Sequence, residues 1–145
     1  MNIQMILVLV ALALFSTLLL NTYNIMLDQS SMVYDNILYL QGQKIADRYF
    51  QKIEAEMLGN PPINYFSHIY SAYSGGVNET MVIDNVTYNI NIISAYCDSL
   101  GANPSADTLY QKVDIQMNCL STSSDTLYIG TSNAPFSKVF INRGF

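Results

Sequence analysis

The hydrophobic pattern at the start of the chain is that of a long apolar helix. Residues 1–27 carry no charged side chain, and residues 3–20 are apolar apart from one glutamine, one serine and one threonine. At about 1.5 Å of rise per residue, this stretch can cross roughly 30 Å of hydrocarbon. The chain then becomes amphipathic without meeting a glycine before Gly42. The pattern predicts one long helix over residues 1–58, whose segment 1–27 lies in a membrane or packs against copies of itself.

Helical spacing continues in the second half of this helix, where two sets of apolar residues each share a face. The sets are Val33, Ile37 and Leu40, and then Ile45, Tyr49, Ile53 and Met57. Gly59 can adopt a left-handed cap, and the two prolines that follow Asn60 cannot continue a helix. The helix is therefore predicted to end near Leu58.

After the turn signal Ser74-Gly75-Gly76, the hydrophobic period changes from that of a helix to that of a strand. Asp84-Asn85 is predicted as a two-residue hairpin turn between strands at residues 80–83 and 86–96. A third strand is predicted at residues 109–120, followed by short strands at residues 126–130 and 139–142. In the two long strands, the residues predicted to face the core are Val86, Tyr88, Ile90 and Ile92, and Val113, Ile115, Met117 and Cys119.

These elements predict an α+β protein, in which a long N-terminal helix packs on a C-terminal antiparallel sheet of four or five strands. The predicted domains are the helix, residues 1–58, and a head domain, residues 59–145. Within the head domain, residues 60–78 are predicted to be a tyrosine-rich connector that leads into the strands, and residues 98–107 a loop.

The apolar segment differs from a removable signal peptide. No Lys or Arg precedes Lys44, and the only nearby pair of small residues, Ser30-Ser31, lies beyond Asp28. A single-pass anchor usually has Lys or Arg beside its membrane segment on the cytoplasmic side, and this segment has none. The missing basic flank is explained if a short basic leader has been removed, which makes Met1 a mature N-terminus.

Composition restricts the chemistry of the chain. Six basic and eleven acidic residues give a net charge of −5, which argues against a nucleic-acid partner, because nucleic acid needs a basic face. The single histidine, His68, lies among aromatic residues without neighbouring ligands or a catalytic partner. The motifs of hydrolases, metalloproteases, phosphate loops and dinucleotide sites are missing from the sequence. We therefore expect no enzymatic activity, no cofactor and no metal.

Cys97 and Cys119 are the only cysteines, and a single pair in a small exported domain favours a disulfide. The predicted register of the strands argues against this bond. If the strands that flank residues 98–108 pair as a simple hairpin, the two thiols lie too far apart. A disulfide is nevertheless expected, and in the chain-entropy model it contributes roughly 3 kcal/mol.

Asn78 and Asn85 each begin an N-glycosylation triplet and are candidate glycosylation sites. Two such triplets also arise by chance in a chain this rich in Asn, Ser and Thr.

The order of these elements resembles that of type IV pilins and pilin-like pseudopilins. Residues 1–58 are similar to the long pilin helix, and residues 110–117, with the sequence YQKVDIQM, are similar to the central strand of minor pilins and pseudopilins. Met5 stands where the family usually has a glutamate, and the first half of the helix has no proline or glycine where the family commonly has one.

The resemblance implies a structural subunit of an extracellular type IV pilus-like filament on the cell surface. Its apolar helix leaves the cytoplasmic membrane, with the pilus assembly machinery as a partner, and packs against the same helix in neighbouring copies. The residues expected to pack in the filament core are Ile6, Leu7, Leu9, Val10, Leu14, Leu18 and Leu20. The alternative is a membrane-anchored minor pseudopilin, or a single-pass protein of a secretion machine, that recruits partners through its head domain.

Overall fold

The computed structural model describes residues 2–57, 65–102, 108–121 and 125–142. Along these residues the chain forms two helices and five strands. In chain order they are α1, Ile3–Met57; α2, Tyr65–Tyr73; β1, Val77–Ile83; β2, Val86–Tyr96; β3, Tyr110–Leu120; β4, Thr126–Gly130; and β5, Phe136–Ile141. The predicted α+β class, with a long N-terminal helix and a C-terminal antiparallel sheet, is confirmed.

Helix α1 is continuous over 55 residues, because no residue in it before Gly42 breaks a helix. Residues 21–24, three of which are Asn or Thr, are also helical. The predicted continuity is confirmed for Ile3–Met57. The predicted stop at Gly59 and the prolines lies outside the described residues.

The chain divides into two units, and the boundary lies inside α1 rather than after it. The first unit is Met1–Ile37, and the second, the compact unit, is Leu38–Phe145. Side chains of α1 enter the core of the compact unit from Leu38 onward, so the second part of the helix belongs to that unit. The buried residues of α1 are Leu38, Gly42, Ile45, Ala46, Tyr49, Phe50 and Ile53.

The buried face of α1 was only partly predicted. The second predicted set is confirmed, since Ile45, Tyr49 and Ile53 are buried and Met57 packs against the core. The first set is exposed, with fractions of 59% for Val33, 47% for Ile37 and 57% for Leu40. Leu38 and Gly42 continue the buried stripe in its place. Leu40 is two residues from each of them, which puts it on the far side of the helix.

Strand β3 is the centre of the sheet. Strand β2 pairs with one edge of β3. On the other edge, β4 pairs with residues 117–120 of β3 and β5 pairs with residues 110–115. Strand β1 pairs with β2 through the predicted turn, where Asp84 and Asn85 have φ angles of 49° and 66°. Two positive φ angles in a two-residue loop are those of a type I′ turn, so the predicted hairpin is confirmed.

Helix α2 occupies part of the predicted connector. Its residues Phe66, Ile69 and Tyr73 are buried at helical spacing. Tyr70 stacks on Tyr96 of β2, with 4.1 Å between ring centroids. The helix was not predicted because nine residues rich in Tyr and Ser give too short a pattern, and packing on β2 stabilises it.

Candidate functional site

The apolar segment of α1 is exposed throughout. An 18-residue window has a mean hydropathy of 2.6, and none of it is buried. By length and composition, α1 is long and apolar enough to cross a membrane. The seven residues predicted to pack in a filament core, Ile6, Leu7, Leu9, Val10, Leu14, Leu18 and Leu20, have exposed fractions of 43% to 66%.

The hydroxyl side chains of this region satisfy their own hydrogen bonds. Ser16, Thr17 and Thr22 each donate to a backbone carbonyl three or four residues earlier, at 2.8 Å. A hydroxyl that is paired within its own helix leaves no donor that needs water. These polar residues are therefore compatible with lipid or with another helix as the neighbour.

Exposed apolar residues continue past the uncharged segment. Met26, Val33 and Ile37 lie seven and four residues apart, so they share one face of α1, and their exposed fractions are 65%, 59% and 47%. Asp28 and Asp35 each follow one of these residues by two positions, which places both carboxylates on the opposite face. We call this face the apolar stripe. Its last residue, Ile37, lies about 50 Å along α1 from the start of the helix, whereas a bilayer core is roughly 30 Å thick.

A second candidate surface is the outer face of the sheet, which points away from the core and carries amides. Strand register aligns these side chains in two rows. One row is Asn78, Asn91 and Gln116, and the other is Thr80, Asn89, Asn118 and Tyr128. The alternating pattern of β2 and β3 places their amides on the face opposite the predicted core residues. Register across four strands, which that pattern does not contain, places them side by side.

This face is hollowed into a cleft of about 640 Å³. Strand β4 ends at Gly130, and the next residues, Thr131 and Ser132, line one side of the cleft. Among the described residues that line it there is no Lys, Arg or His, and Glu79 is the only acidic one. The cleft is therefore almost uncharged, and its lining combines amides with apolar surface.

Two amides of the cleft differ in their hydrogen bonding. Asn89 Nδ2 donates to Asn118 Oδ1 at 3.0 Å. Asn91 Oδ1 is buried and has no hydrogen-bond partner among the described residues. An unpaired buried acceptor costs about 1–3 kcal/mol.

The structure contradicts the predicted disulfide. Cys97 and Cys119 are both buried and are not joined to each other. The backbone amide of Cys97 bonds to the first residue of β3, whereas Asn118, next to Cys119, lies opposite Asn89. Eight residues of β2 separate these two points, or about 26 Å, and a disulfide needs Cα atoms within about 7 Å. Burial raises the pKa of the Cys97 thiol, which keeps it protonated.

The remaining candidate residues lie on the surface. His68 is exposed on α2, and Asn78 and Asn85 are exposed on β1 and in the hairpin turn. Within the part of the chain that the structure describes, no three His, Cys, Asp or Glu side chains come together as metal ligands. Glycosylation of Asn78 and Asn85 stays a prediction.

Polar contacts in the compact unit join α1 to the sheet. Tyr49 donates a hydrogen bond to Glu79 Oε2 on β1, and Tyr88 donates to Gln41 Oε1 at 2.7 Å. Burial, and then the hydrogen bond to Glu79, raises the pKa of Tyr49 to about 12. These contacts orient the helix on the sheet.

No family model, curated protein or solved structure matches the chain. The two surfaces of the molecule that bear on its function are the apolar surface of α1 and the cleft of the sheet.

Proposed function

We propose that this protein is a structural subunit of an extracellular, pilus-like filament that polymerises through its apolar N-terminal helix. The observation that carries the proposal is the length of the exposed apolar surface of α1. It begins at the start of the helix and continues through the apolar stripe to Ile37. A membrane anchor needs only the uncharged part, and it leaves Met26, Val33 and Ile37 at or beyond the edge of the hydrocarbon.

The driving force differs along the helix. Lipid tails are as apolar as leucine, so the first part of α1 moves from lipid to protein with little hydrophobic gain, and close packing must stabilise it. The apolar stripe beyond the membrane lies in water before assembly. Burying a Val, Ile or Met side chain there contributes about 1.5–3 kcal/mol. Packing against copies of the same helix would bury both the membrane segment and the apolar stripe.

The proposal assigns the chain two locations. Before assembly the apolar segment resides in the cytoplasmic membrane, and after assembly, with the pilus machinery as a partner, it lies in the core of a surface filament. The alternative, a membrane-resident protein that recruits partners through its folded unit, uses only the first location. The two differ in whether the apolar stripe is buried.

The test is Val33→Asp in cells that express the protein, with sheared filaments and membrane fractions measured together. The substitution places a carboxylate on the apolar stripe but outside the uncharged segment. We expect the variant to insert into membranes like the native chain and to yield no filaments. Ser31→Asp is the matched control, because it adds the same charge two residues earlier, on the opposite face, and it should assemble.

The opposite pattern would support the alternative. If shearing releases no filaments from native cells, or if Val33→Asp assembles as well as Ser31→Asp, the stripe is not buried by copies of the chain. The first result would make the protein a membrane-anchored subunit, and the second would show that filaments form without burial of the apolar stripe.

A further inference from the structure

We propose that the cleft on the outer face of the sheet binds neutral saccharides. This inference is independent of the proposed filament. It rests on the residues that line the cleft, on their charge and on one exposed aromatic ring.

The amides in the two rows suit hydroxyl-rich ligands. Each Asn or Gln side chain offers one acceptor oxygen and two N–H donors, and a sugar hydroxyl both donates and accepts. Adjacent rows lie two residues apart along each strand, about 7 Å, and adjacent strands about 4.8 Å apart. The rows therefore present a grid of donors and acceptors that a short oligosaccharide can follow across β1 to β4.

Tyr128 supplies the apolar contact that saccharides need. It lies opposite Asn118 in the register, lines the cleft and is 63% exposed. An aromatic ring in this position offers an apolar face to the C–H side of a pyranose and a hydroxyl at its rim. In a surface built only for solvation, a polar side chain would serve as well.

Charge restricts the ligand class. The described lining residues include no cation, so phosphorylated or acidic sugars find no counter-charge. The single carboxylate, Glu79, already accepts a hydrogen bond from Tyr49. The volume of about 640 Å³ lies within the roughly 300–1,000 Å³ range of small-molecule sites. A neutral disaccharide or trisaccharide matches both the charge and the volume of the cleft.

The experiment is saturation-transfer NMR on the full chain in a detergent without a sugar headgroup. The probes are neutral disaccharides of glucose, galactose, mannose and N-acetylglucosamine, with sialyllactose as the acidic comparison. We expect at least one neutral disaccharide to bind, and sialyllactose to bind more weakly. Tyr128→Ala should weaken binding about tenfold, and Tyr128→Phe, which keeps the ring, by less than about twofold.

Matched controls separate the cleft from the rest of the surface. Leu120→Ala removes another exposed apolar side chain, 65% exposed and outside the cleft, and should leave affinity unchanged. Asn118→Asp should weaken binding, whereas Asn133→Asp, exposed and outside the lining, should not.

Three results would overturn the inference. The first is that no neutral disaccharide binds at millimolar concentration, and the second is that Tyr128→Ala and Leu120→Ala bind equally well. The third is a glycan on Asn78 of the native chain, located by mass spectrometry of its peptides, because the cleft would then hold the protein's own modification. Filament yield from Tyr128→Ala cells reports separately on the proposed function.

Discussion

At the scale of single residues, Gly42 allows α1 to approach β4. A Cβ atom at this position would lie 2.6 Å from Ile129 Cγ2 and 3.0 Å from Ile129 Cδ1. Ile129 is buried and β-branched, so its Cγ2 moves only if the stiff χ1 torsion rotates. The close approach explains a glycine inside a helix, where its propensity is poor.

Gly42→Ala is expected to lower the free energy of unfolding of the compact unit by about 1 kcal/mol. Overpacking costs about 1–3 kcal/mol, which exceeds the roughly 1 kcal/mol that alanine gains in helix propensity. Thermal unfolding of the full chain in detergent, followed by near-UV circular dichroism, measures the change. Gly75→Ala is the control, because its Cβ meets nothing within 4 Å. A Gly42→Ala variant as stable as the native chain would contradict the proposed contact.

Tyr49 makes stability depend on pH at the alkaline end. Its pKa is raised to about 12 in the folded state, against about 10 in an unfolded chain. The unfolded chain therefore loses its proton first. The stabilisation is fully present below about pH 10 and is lost as the pH rises towards 12.

Tyr49→Phe should reduce this alkaline loss without abolishing it, since burial also raises the pKa of Tyr73. The measurement is the unfolding temperature between about pH 8 and pH 12. Tyr128→Phe, which removes the hydroxyl of an exposed tyrosine, should keep the native slope. Equal slopes for Tyr49→Phe and the native chain would exclude Tyr49 as a cause.

At the scale of elements, the side chain of Gln111 holds α2 against the sheet. Gln111 lies on the buried face of β3 with no exposed surface. In the amide orientation that satisfies every neighbour, Nε2 donates to Phe66 O and Oε1 accepts from Tyr70 N, each at 2.9 Å. Oε1 also accepts from Ser94 Oγ. A helix of nine residues is too short to be stable alone, so it depends on this contact and on the Tyr70–Tyr96 stack.

Gln111→Leu is expected to destabilise the compact unit by about 1–3 kcal/mol, because it removes the amide that joins Phe66 O and Tyr70 N of α2 to Ser94 of β2 and leaves Ser94 buried without that partner. Amide hydrogen exchange across Tyr65–Tyr73 should accelerate at the same time. Gln116→Leu is the control, since it makes the same change on the other face of β3 and should shift stability by less than about 1 kcal/mol. If both variants lose equal stability, burial of the amide is not the cause.

At the scale of the whole molecule, charge and apolar surface are separated along the chain. The first unit carries only two charged side chains, Asp28 and Asp35, and all six basic residues belong to the compact unit. The proposed filament requires this separation, because an unpaired charge in a packed apolar core costs several kcal/mol in every subunit.

Leu14→Asp is therefore expected to abolish filaments and leave the compact unit folded. Yield of sheared filaments and resistance of the compact unit to limited proteolysis measure the two effects. Leu100→Asp, on a side chain that is 85% exposed in the compact unit, should assemble normally. Native amounts of filament from Leu14→Asp would show that Leu14 is not in a buried filament core.

Local patterns in the sequence are enough to predict the long elements of this fold. The unbroken run before Gly42 predicted α1, strict alternation predicted the buried faces of β2 and β3, and Asp84-Asn85 predicted the type I′ turn. Each depends on interactions within a few residues of the chain, so local pattern and propensity are sufficient. The apolar character of the segment before Asp28 follows from composition alone.

Contacts between distant parts of the chain set how these elements pack together. Full pairing of β2 with β3 separates Cys97 from Cys119, and packing at Gly42 selects the face of α1 that is buried. Register across four strands brings Asn91 and Tyr128 into one cleft, and Gln111 stabilises a helix that its own nine residues do not predict. All of these depend on contacts between residues far apart in the chain, which no local pattern contains.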